Sequence, residues 1–402
     1  MKTDALKGVN VADFSWAAVG PIIGRTLAYH GATVIRIESA TRLDVLRLQT
    51  PYKENVPGID RSGNYASYNA GKYGMTLNLS HPDAGTVKRR IVQWADIIIS
   101  SFRPGVMEKL GLDYDSLKKM NPSIIALATS SQGNTGPHRD FASLGTHLVA
   151  LSGFTYITGW SDRTPSQPFG AYTDFIAPHF GSLAVLAALI HRKNTGQGQY
   201  IELAQYEASL HFLAPLILEY TANKRVAERH ANKCDYAVPH GAYPCQGHDR
   251  WCAIAVFNEK QWRALCKTME ASDLIDDDRF STFPKRKMHE NIIDDRISQW
   301  TIFYTAEEAV RRLQQAGVSS AVVQNAKDLH EDKKLKKYFK KMEHQEMGPF
   351  HYEGVGFKLS ETPFHITKPS PLLGEHNEYA CKKFLRMTGD EYQGLKQKGV
   401  FQ

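Results

Sequence analysis

The chain of 402 residues lacks the features that mark several large classes of protein. It has no uninterrupted run of 18 apolar residues, so we predict no membrane-spanning helix and no membrane partner. Residues 1–7 lack the apolar core of a secretory signal peptide, which favours a cytoplasmic location. Internal repeats and low-complexity segments are absent as well. A hydrophobic content of 42% and a charged content of 23% are typical of a soluble globular protein, and the length suits two domains.

Cysteine is scarce, and its spacing argues against a metal site. The five cysteines are Cys234, Cys245, Cys252, Cys266 and Cys381. Four of them fall close together, but no C-x-x-C pair occurs and no histidine stands at ligand spacing, so we predict no zinc. An odd number of spread thiols is typical of a reduced, cytoplasmic protein.

Signature motifs of other enzyme classes are also missing. No G-x-x-x-x-G-K-[ST] occurs, which argues against P-loop ATP chemistry, and the segment around Ser143 lacks the first glycine of G-x-S-x-G. Metal-binding H-E-x-x-H is absent. The first turn holds only Gly20 and Gly24, not G-x-G-x-x-G, although Glu38 stands where a ribose-binding acid would lie. A nicotinamide-dependent oxidoreductase is therefore only a weak alternative.

The net charge of +7 is modest and spread out. The densest basic stretch, residues 333–341, has the composition of a solvated helix face and lacks a recognised reader motif, so we predict no nucleic-acid partner. A small basic excess suits a polyanionic small ligand such as a nucleotide cofactor.

The first 130 residues alternate between strand and helix patterns. Strands are predicted at residues 9–14, 33–37, 95–100 and 123–129, and helices at residues 20–29, 83–94 and 114–120. This alternation predicts an α/β fold with a doubly wound, Rossmann-like parallel sheet. Because ligands bind at the carboxyl ends of such strands, we expect the site near residues 15–20, 38–42, 101–105 and 130–136.

The later sequence predicts a second, smaller domain. A polar linker is predicted at residues 222–230, and a β-hairpin at residues 240–256. Helical patterns follow at residues 259–269 and 306–315, and a strand pattern follows at 319–324. We therefore predict a large Rossmann-like domain over residues 1–220, a small α+β domain over 225–325, and a C-terminal segment over 326–402 that returns to the large domain.

The motif Gly170-Ala-Tyr-Thr-Asp174 precedes an apolar run, residues 181–190, that predicts a buried helix. A carboxylate just before a helix is held ionised by the helix dipole and by free backbone N–H groups. An ionised, partly enclosed carboxylate is a candidate nucleophile. A helix cap is the commoner role of a single aspartate at such a position, and the motif alone leaves both roles open.

An ordered set of motifs runs along nearly the whole chain. It comprises Gly20-Pro21, Val34-Ile-Arg-Ile-Glu38, Asn69-Ala-Gly-Lys72, Phe102-Arg-Pro-Gly-Val106, Leu110-Gly-Leu-Asp-Tyr114, Gly133-Asn-Thr-Gly-Pro137, Leu151-Ser-Gly153, Gly170 to Asp174, Thr195-Gly-Gln-Gly198 and Leu373-Gly-Glu-His376. Each motif alone is weak evidence of a family, but the ordered set resembles CoA-transferase family III, which includes formyl-CoA transferase and carnitine CoA-transferase.

The resemblance implies an enzyme that moves CoA from an acyl-CoA such as succinyl-CoA to an organic acid. Coenzyme A enters as substrate and product, and no metal is implied. The family match of Asp174 is the nucleophile, which forms an acyl anhydride and then an aspartyl-CoA thioester. Such steps exchange groups of similar energy, so positioning, oxyanion stabilisation and exclusion of water are the protein's main tasks.

The resemblance also implies where CoA binds. Arg103 is the first candidate for a phosphate contact, because its family match lies in the CoA site, and Phe102 is assigned to the same site. Lys72, Arg42 and Arg139 are further candidates, although each is also explained as a solvated surface charge.

Ala18 occupies a position that holds glutamine in the formyl-transferring members. A smaller side chain leaves room, so we expect an acid larger than formate or oxalate, such as an aromatic or substituted dicarboxylic acid. Some relatives cover the nucleophile with a run of glycines, and residues 225–270 of this chain contain no such run.

The resemblance implies an interlaced homodimer, with a heteromer of related subunits as the other arrangement known in the family. The same fold family includes α-methylacyl-CoA racemases, which use a histidine–aspartate pair. The position of that histidine falls on Leu144, and His147 lacks the flanking pattern. A leucine cannot move a proton, so the racemase is the second candidate.

Overall fold

The computed structural model describes residues 4–402, so the beginning of the segment 1–7, on which the signal-peptide prediction rests, lies outside the described residues. The chain forms two compact units. The large unit comprises the residues up to Thr155 together with Gln167–Val226 and Lys337–Gln402. The small unit comprises Tyr156–Ser166 and Ala227–Lys336.

The large unit is built on a six-stranded sheet in which every neighbouring pair is parallel. Its strands are β1 (Asn10–Asp13), β2 (Thr33–Glu38), β3 (Tyr73–Thr76), β4 (Ile97–Ser100), β5 (Ile125–Ser130) and β6 (Tyr200–Ala204). The spatial order is β3-β2-β1-β4-β5-β6. The predicted parallel α/β sheet is confirmed.

Helices cover both faces of the sheet. Up to residue 223 they are α1 (Val19–Tyr29), α2 (Gly63–Asn69), α3 (Ala84–Trp94), α4 (Val106–Lys109), α5 (Tyr114–Met120), α6 (Gly145–Leu151), α7 (Phe154–Ile157), α8 (Thr173–Thr195), α9 (Gln205–Leu210) and α10 (Ala214–Asn223). Alternate strand residues face opposite ways: Ile97 packs with α1 and α8, and Ile98 packs with α3 and α5. Strands buried on both faces read as continuous apolar runs, which is why the sequence predicts them well.

Helix α8 is longer and more exposed than the sequence predicts. Its inner face packs on α1, where Gly181 lies close to Ile23. Only 33% of its most apolar stretch is buried, and Leu183 and Ile190 are 66% and 63% exposed. The helix is long and apolar enough to span a membrane, but core helices of soluble proteins meet the same criterion of length and composition.

The small unit holds an antiparallel sheet in the order β7-β8-β9, with β7 (His240–Pro244), β8 (Trp251–Ala255) and β9 (Ser319–Val322). Its helices are α11 (Glu259–Thr268), α12 (Asp273–Asp276), α13 (Phe283–Met288), α14 (Glu290–Thr301), α15 (Ala306–Gln315) and α16 (Ala326–Glu331). Trp262, Leu265 and Leu313 lie in its apolar core. The predicted hairpin and both predicted helices are present.

The C-terminal segment completes the large unit. An antiparallel hairpin, β10 (Phe339–His344) with β11 (Gly348–Glu353), packs through Tyr352 on Tyr29 and Ala66. The last helices, α17 (Asn377–Lys383) and α18 (Gly389–Gln397), pack on the sheet face that α3 and α5 cover.

Candidate active site

The strand order reverses between β1 and β4, so a crevice opens where these two strands end. Ser101, just after β4, joins the two loops that border it. The Ser101 hydroxyl accepts a hydrogen bond from the Trp16 amide at 2.7 Å and lies 3.3 Å from the Trp16 carbonyl, to which it donates. The ring of Trp16 meets Phe102 edge to face, with 6.2 Å between ring centroids. The switch point is therefore an ordered, aromatic wall.

A cavity of about 670 Å³ lies at the carboxyl ends of β1 to β4. Trp16, Phe102, Arg42 and Arg103 are among its lining residues. The Arg42 guanidinium lies 5.3 Å from the Trp16 ring centroid, a cation–π distance. Within the described residues neither arginine forms an ion pair, so both charges are available to an anionic ligand.

A second cavity, of about 520 Å³, lies on the other side of the Phe102–Arg103 segment. Its floor is formed by small side chains of β4 and β5, among them Ser100, Ala126 and Ala128. Arg139 lines this cavity, with its Nε 3.4 Å from an Asp140 oxygen. Arg103 thus borders both cavities, and Arg139 borders only the second.

Lys72 lies away from both cavities. Its side chain is fully buried beneath α1, and the ammonium donates to Asp13, the Pro21 carbonyl and Asn69, each at 2.8 Å. All three of its donors are occupied inside the protein, so Lys72 is not among the phosphate contacts proposed below.

Buried ion pairs continue from Lys72 beneath the first cavity. Arg36 pairs with Asp44 at 2.5 Å, and both side chains are fully buried. Arg47 binds both oxygens of Glu38, at 2.9 and 2.8 Å. Burial raises the pKa of Asp44, although the charge of Arg36 opposes that rise. The network fixes the loops after β1 and β2, because breaking a buried pair leaves an uncompensated charge.

Asp174 lies at the same edge of the sheet as the cavities. A helix that leads into a parallel strand starts at the edge where the strands end, and α8 leads into β6. Tyr172 is the N-cap of α8, Asp174 is the second residue of the helix, and no side-chain cap is present. The capping role that the motif left open is therefore not the role of this carboxylate. Asp174 and Ala18, the N-cap of α1, line neither cavity.

The Asp174 carboxylate packs directly against the start of α6. A Cβ built on Gly145 would lie 2.5 Å from Asp174 Oδ1 and 2.4 Å from Ala171 Cβ. Contacts this short do not occur, so a glycine is required for the carboxylate to hold its position. The Thr173 hydroxyl also donates to the Gly145 carbonyl at 3.3 Å, which joins the two helix starts.

Burial raises the pKa of Asp174 to about 6. No hydrogen bond or ion pair to this carboxylate occurs within residues 4–402, so the expectation that free N–H groups hold it ionised is wrong: burial outweighs the helix dipole. At pH 7 a carboxyl group with this pKa is still about nine-tenths ionised. The arrangement is an unpaired, largely anionic carboxylate in a partly dry setting, and such a group is chemically able to act as an oxygen nucleophile.

Tyr68 is a neighbour that the sequence did not point to. Its ring meets Phe175 edge to face at 6.1 Å. Burial, and after it the negative charges of Glu353 and Asp174, raise the pKa of Tyr68 to about 12. The phenol therefore stays protonated near Asp174 at neutral pH.

Three further features escaped the sequence analysis: Trp16, Ser101 and Gly145. Trp16 and Ser101 lie in residues 15–20 and 101–105, two of the ranges in which a ligand was expected. The rule that ligands bind at strand ends therefore predicted the region but did not single out these two residues. Nothing in the local sequence around Gly145 indicates that it faces a carboxylate 29 positions later.

Comparison with known proteins gives a consistent result. The sequence pattern of CoA-transferase family III matches residues 6–377. The succinyl-CoA–D-citramalate CoA-transferase of Chloroflexus aurantiacus is 29% identical over 397 residues, 98% of each chain. The succinyl-CoA–L-malate CoA-transferase beta subunit of the same organism is 30% identical over 404 residues, again 98% of each chain.

A solved structure, a CaiB/BaiF family protein from Brucella suis, superposes with a TM-score of 0.88 at 26% identity. The match covers 96% of this chain and 100% of that one. Because the family pattern spans most of the sequence, the chain belongs to CoA-transferase family III and is an enzyme that uses CoA thioesters as substrates.

Proposed function

We propose that this enzyme moves CoA from succinyl-CoA to an organic acid and that Asp174 is the nucleophile. The observation that carries the proposal is the Asp174 carboxylate itself, which has no hydrogen bond within the described residues and is held against Gly145. An aspartate with a structural role is normally hydrogen-bonded when it is buried. An unpaired one, at the ligand edge of the sheet, is arranged to react.

The reaction proceeds in four exchanges. An Asp174 oxygen attacks the thioester carbon, the carbon–sulfur bond breaks, and an aspartyl anhydride and a CoA thiolate result. The thiolate attacks Cγ of Asp174, releasing the donor carboxylate and leaving an aspartyl-CoA thioester.

The acceptor carboxylate then attacks Cγ, which frees the thiolate and forms a second anhydride. The thiolate finally attacks the acceptor carbonyl, which gives the new acyl-CoA and the free Asp174 carboxylate. No exchange transfers a proton, so the site needs no general acid or base beside Asp174.

The 670 Å³ cavity is the proposed site for the nucleotide part of CoA. Trp16 and Phe102 offer aromatic surface for adenine, and Arg42 and Arg103 offer unpaired guanidinium groups for phosphates. Arg139 is a further candidate from the neighbouring cavity, although Asp140 partly neutralises it. Orientation of CoA by these groups would place its sulfur toward the start of α8.

A dicarboxylic acid is the proposed acceptor. The two relatives described above are named for D-citramalate and L-malate, which are both dicarboxylic acids. The small side chain at Ala18 leaves room at the start of α1, so an aromatic or otherwise substituted dicarboxylic acid is included in this proposal.

A homodimer is the proposed assembly. Large apolar side chains of α8 and α10 are exposed in the single chain: Leu183, Leu186, Ile190, Ile217 and Leu218. Soluble monomers rarely expose so many neighbouring apolar groups. One relative is named as a beta subunit, so a heteromer of related chains is the other assembly to test. A cytoplasmic location is proposed because the five cysteines are free.

The test is a panel of carboxylic acids assayed with succinyl-CoA, using wild type and Asp174→Ala. We expect turnover of dicarboxylic acids by wild type, and loss of transfer with retained CoA binding in the variant. The matched control is Asp390→Ala, since Asp390 is also the second residue of its helix but is exposed. Full transfer by Asp174→Ala, or α-proton exchange of an acyl-CoA in deuterated water without transfer, would contradict the proposal.

A further inference from the structure

The turn after β1 contains a residue in an unfavourable backbone conformation. Ala17 has a φ of 59°, in the left-handed region that residues with a Cβ avoid. Glycine would adopt this conformation without strain. A strained residue persists only where its surroundings hold it, and such residues concentrate at functional sites.

The group that holds Ala17 is the buried carboxylate of Asp44. Its two oxygens lie 3.2 and 3.3 Å from the Ala17 amide, which donates to them. The same carboxylate accepts from the Leu46 amide at 2.9 Å and from Arg36 at 2.5 Å. Asp44 is thus fixed by Leu46 and by Arg36, whose side chain is fully buried like its own, and it holds Ala17 in turn.

The residue that this turn places is Trp16. The Ser101 hydroxyl holds the backbone of Trp16, because it accepts from the Trp16 N–H and donates to the Trp16 carbonyl. Its ring contacts Phe102 edge to face and the guanidinium of Arg42, and it lines the 670 Å³ cavity. A change in the Ala17 conformation would therefore rotate the aromatic wall of that cavity.

We infer that Ala17 and Asp44 are positioning residues that hold Trp16 as a preformed wall for the nucleotide of CoA. The inference rests on the proposed function, since it assigns CoA to this cavity. It goes further in stating how affinity is set: binding is strengthened because the wall is ordered before CoA arrives, which lowers the entropic cost of binding. The chemistry at Asp174 does not depend on it.

The decisive variant is Ala17→Val, because a β-branched residue disfavours a positive φ more strongly than alanine does and would move the turn out of its conformation. We expect a lower melting temperature together with a rise of about twofold to tenfold in the Kd for CoA, the range set by ordering one large side chain. The KM for succinyl-CoA should rise in parallel, and kcat should not change. A residue with a merely structural role would give the stability effect alone.

The matched control is Glu270→Val. Glu270 also has a positive φ, 56°, but it is exposed and lies in the small unit. Its replacement should lower stability and leave the Kd for CoA unchanged. Asp44→Asn is a second variant, in which the pair with Arg36 is lost and the effect on Kd should exceed that of Ala17→Val.

A double mutant shows whether Ala17 acts through Trp16. In a Trp16→Ala background the Ala17→Val change should have no further effect on the Kd, because the wall is already gone. If wild type binds CoA and Ala17→Val binds it equally well, the inference is wrong while the proposed function stands. If wild type fails to bind CoA in calorimetry, the assignment of the cavity itself is wrong.

Discussion

Replacing Gly145 by alanine tests the geometry of the proposed nucleophile. The new Cβ would lie 2.5 Å from Asp174 Oδ1 and 2.7 Å from Cγ, whereas ordinary contact begins at 3.4 Å. The carboxylate must therefore move by about 0.9 Å, the difference between 3.4 and 2.5 Å. The new methyl group would also lie 2.4 Å from Ala171 Cβ, so it cannot avoid Asp174 by shifting toward Ala171.

The expected result follows from that displacement. A misplacement of about 1 Å costs on the order of 100-fold in rate when reacting groups must be aligned. We therefore expect kcat for transfer from succinyl-CoA to fall by about 100-fold, with little change in the affinity for CoA, because Gly145 lines neither cavity. Overpacking should also cost about 1–3 kcal/mol of stability.

The assay is the initial rate of new acyl-CoA formation, resolved by chromatography, with CoA affinity from calorimetry. The control is Gly85→Ala, since a Cβ at Gly85 would meet nothing within 4 Å and α3 accepts alanine well. A Gly145→Ala enzyme with wild-type kcat and an intact fold would refute the placement of the Asp174 carboxylate as the reacting group.

Four further predictions follow from the same structure. The rate of transfer should be constant above a pH of about 6 and should fall below it, because the Asp174 carboxylate, the proposed nucleophile, becomes protonated as the pH drops through its raised pKa. A flat rate profile from pH 5 to 8 would contradict this. Asp174→Asn should raise the free energy of unfolding at pH 7.5 by about 1–3 kcal/mol, because a carboxyl group whose pKa is raised on folding destabilises the folded state where the group is ionised. Below pH 4 the carboxyl group is protonated in both states, so the variant should lose this advantage. Urea denaturation at both pH values measures the difference. Lys72→Met should cost about 3–5 kcal/mol by leaving Asp13 without its closest cation, yet leave the Kd for CoA unchanged, and a tenfold weaker Kd would return Lys72 to the CoA site. If the proposed dimer forms through α8, Leu183→Glu should shift it toward monomer in light scattering, and a dimer that this change leaves intact would place the interface elsewhere.

The sheet could be predicted from sequence because its strands are buried on both faces. A run such as Ile97–Ser100 has few alternative interpretations when helical patterns flank it on both sides. Helices with clear caps were also predicted closely, as for Tyr114–Met120, where Asp113 accepts a hydrogen bond from the Ser116 amide. The exposure of α8 could not be predicted, because an apolar helix face looks the same in sequence whether the chain or a partner covers it.

The candidate site was predicted only in outline. The resemblance to CoA-transferase family III, together with the rule that ligands bind at strand ends, led to Arg42, Phe102 and Arg103, which all line one cavity. It could not separate them from Lys72, because the carboxylate that neutralises this lysine lies 59 positions away in the chain. The strained φ of Ala17 has no sequence signal, since it is set by the distant Asp44.

The most direct test of the account is mass spectrometry of the enzyme trapped with hydroxylamine during turnover of succinyl-CoA. Hydroxylamine attacks an acyl group activated as an anhydride or thioester, so the peptide that contains Asp174 should carry the hydroxamate, and the Asp390 peptide should not. An unmodified Asp174 peptide, in enzyme that exchanges CoA at its full rate, would contradict the account.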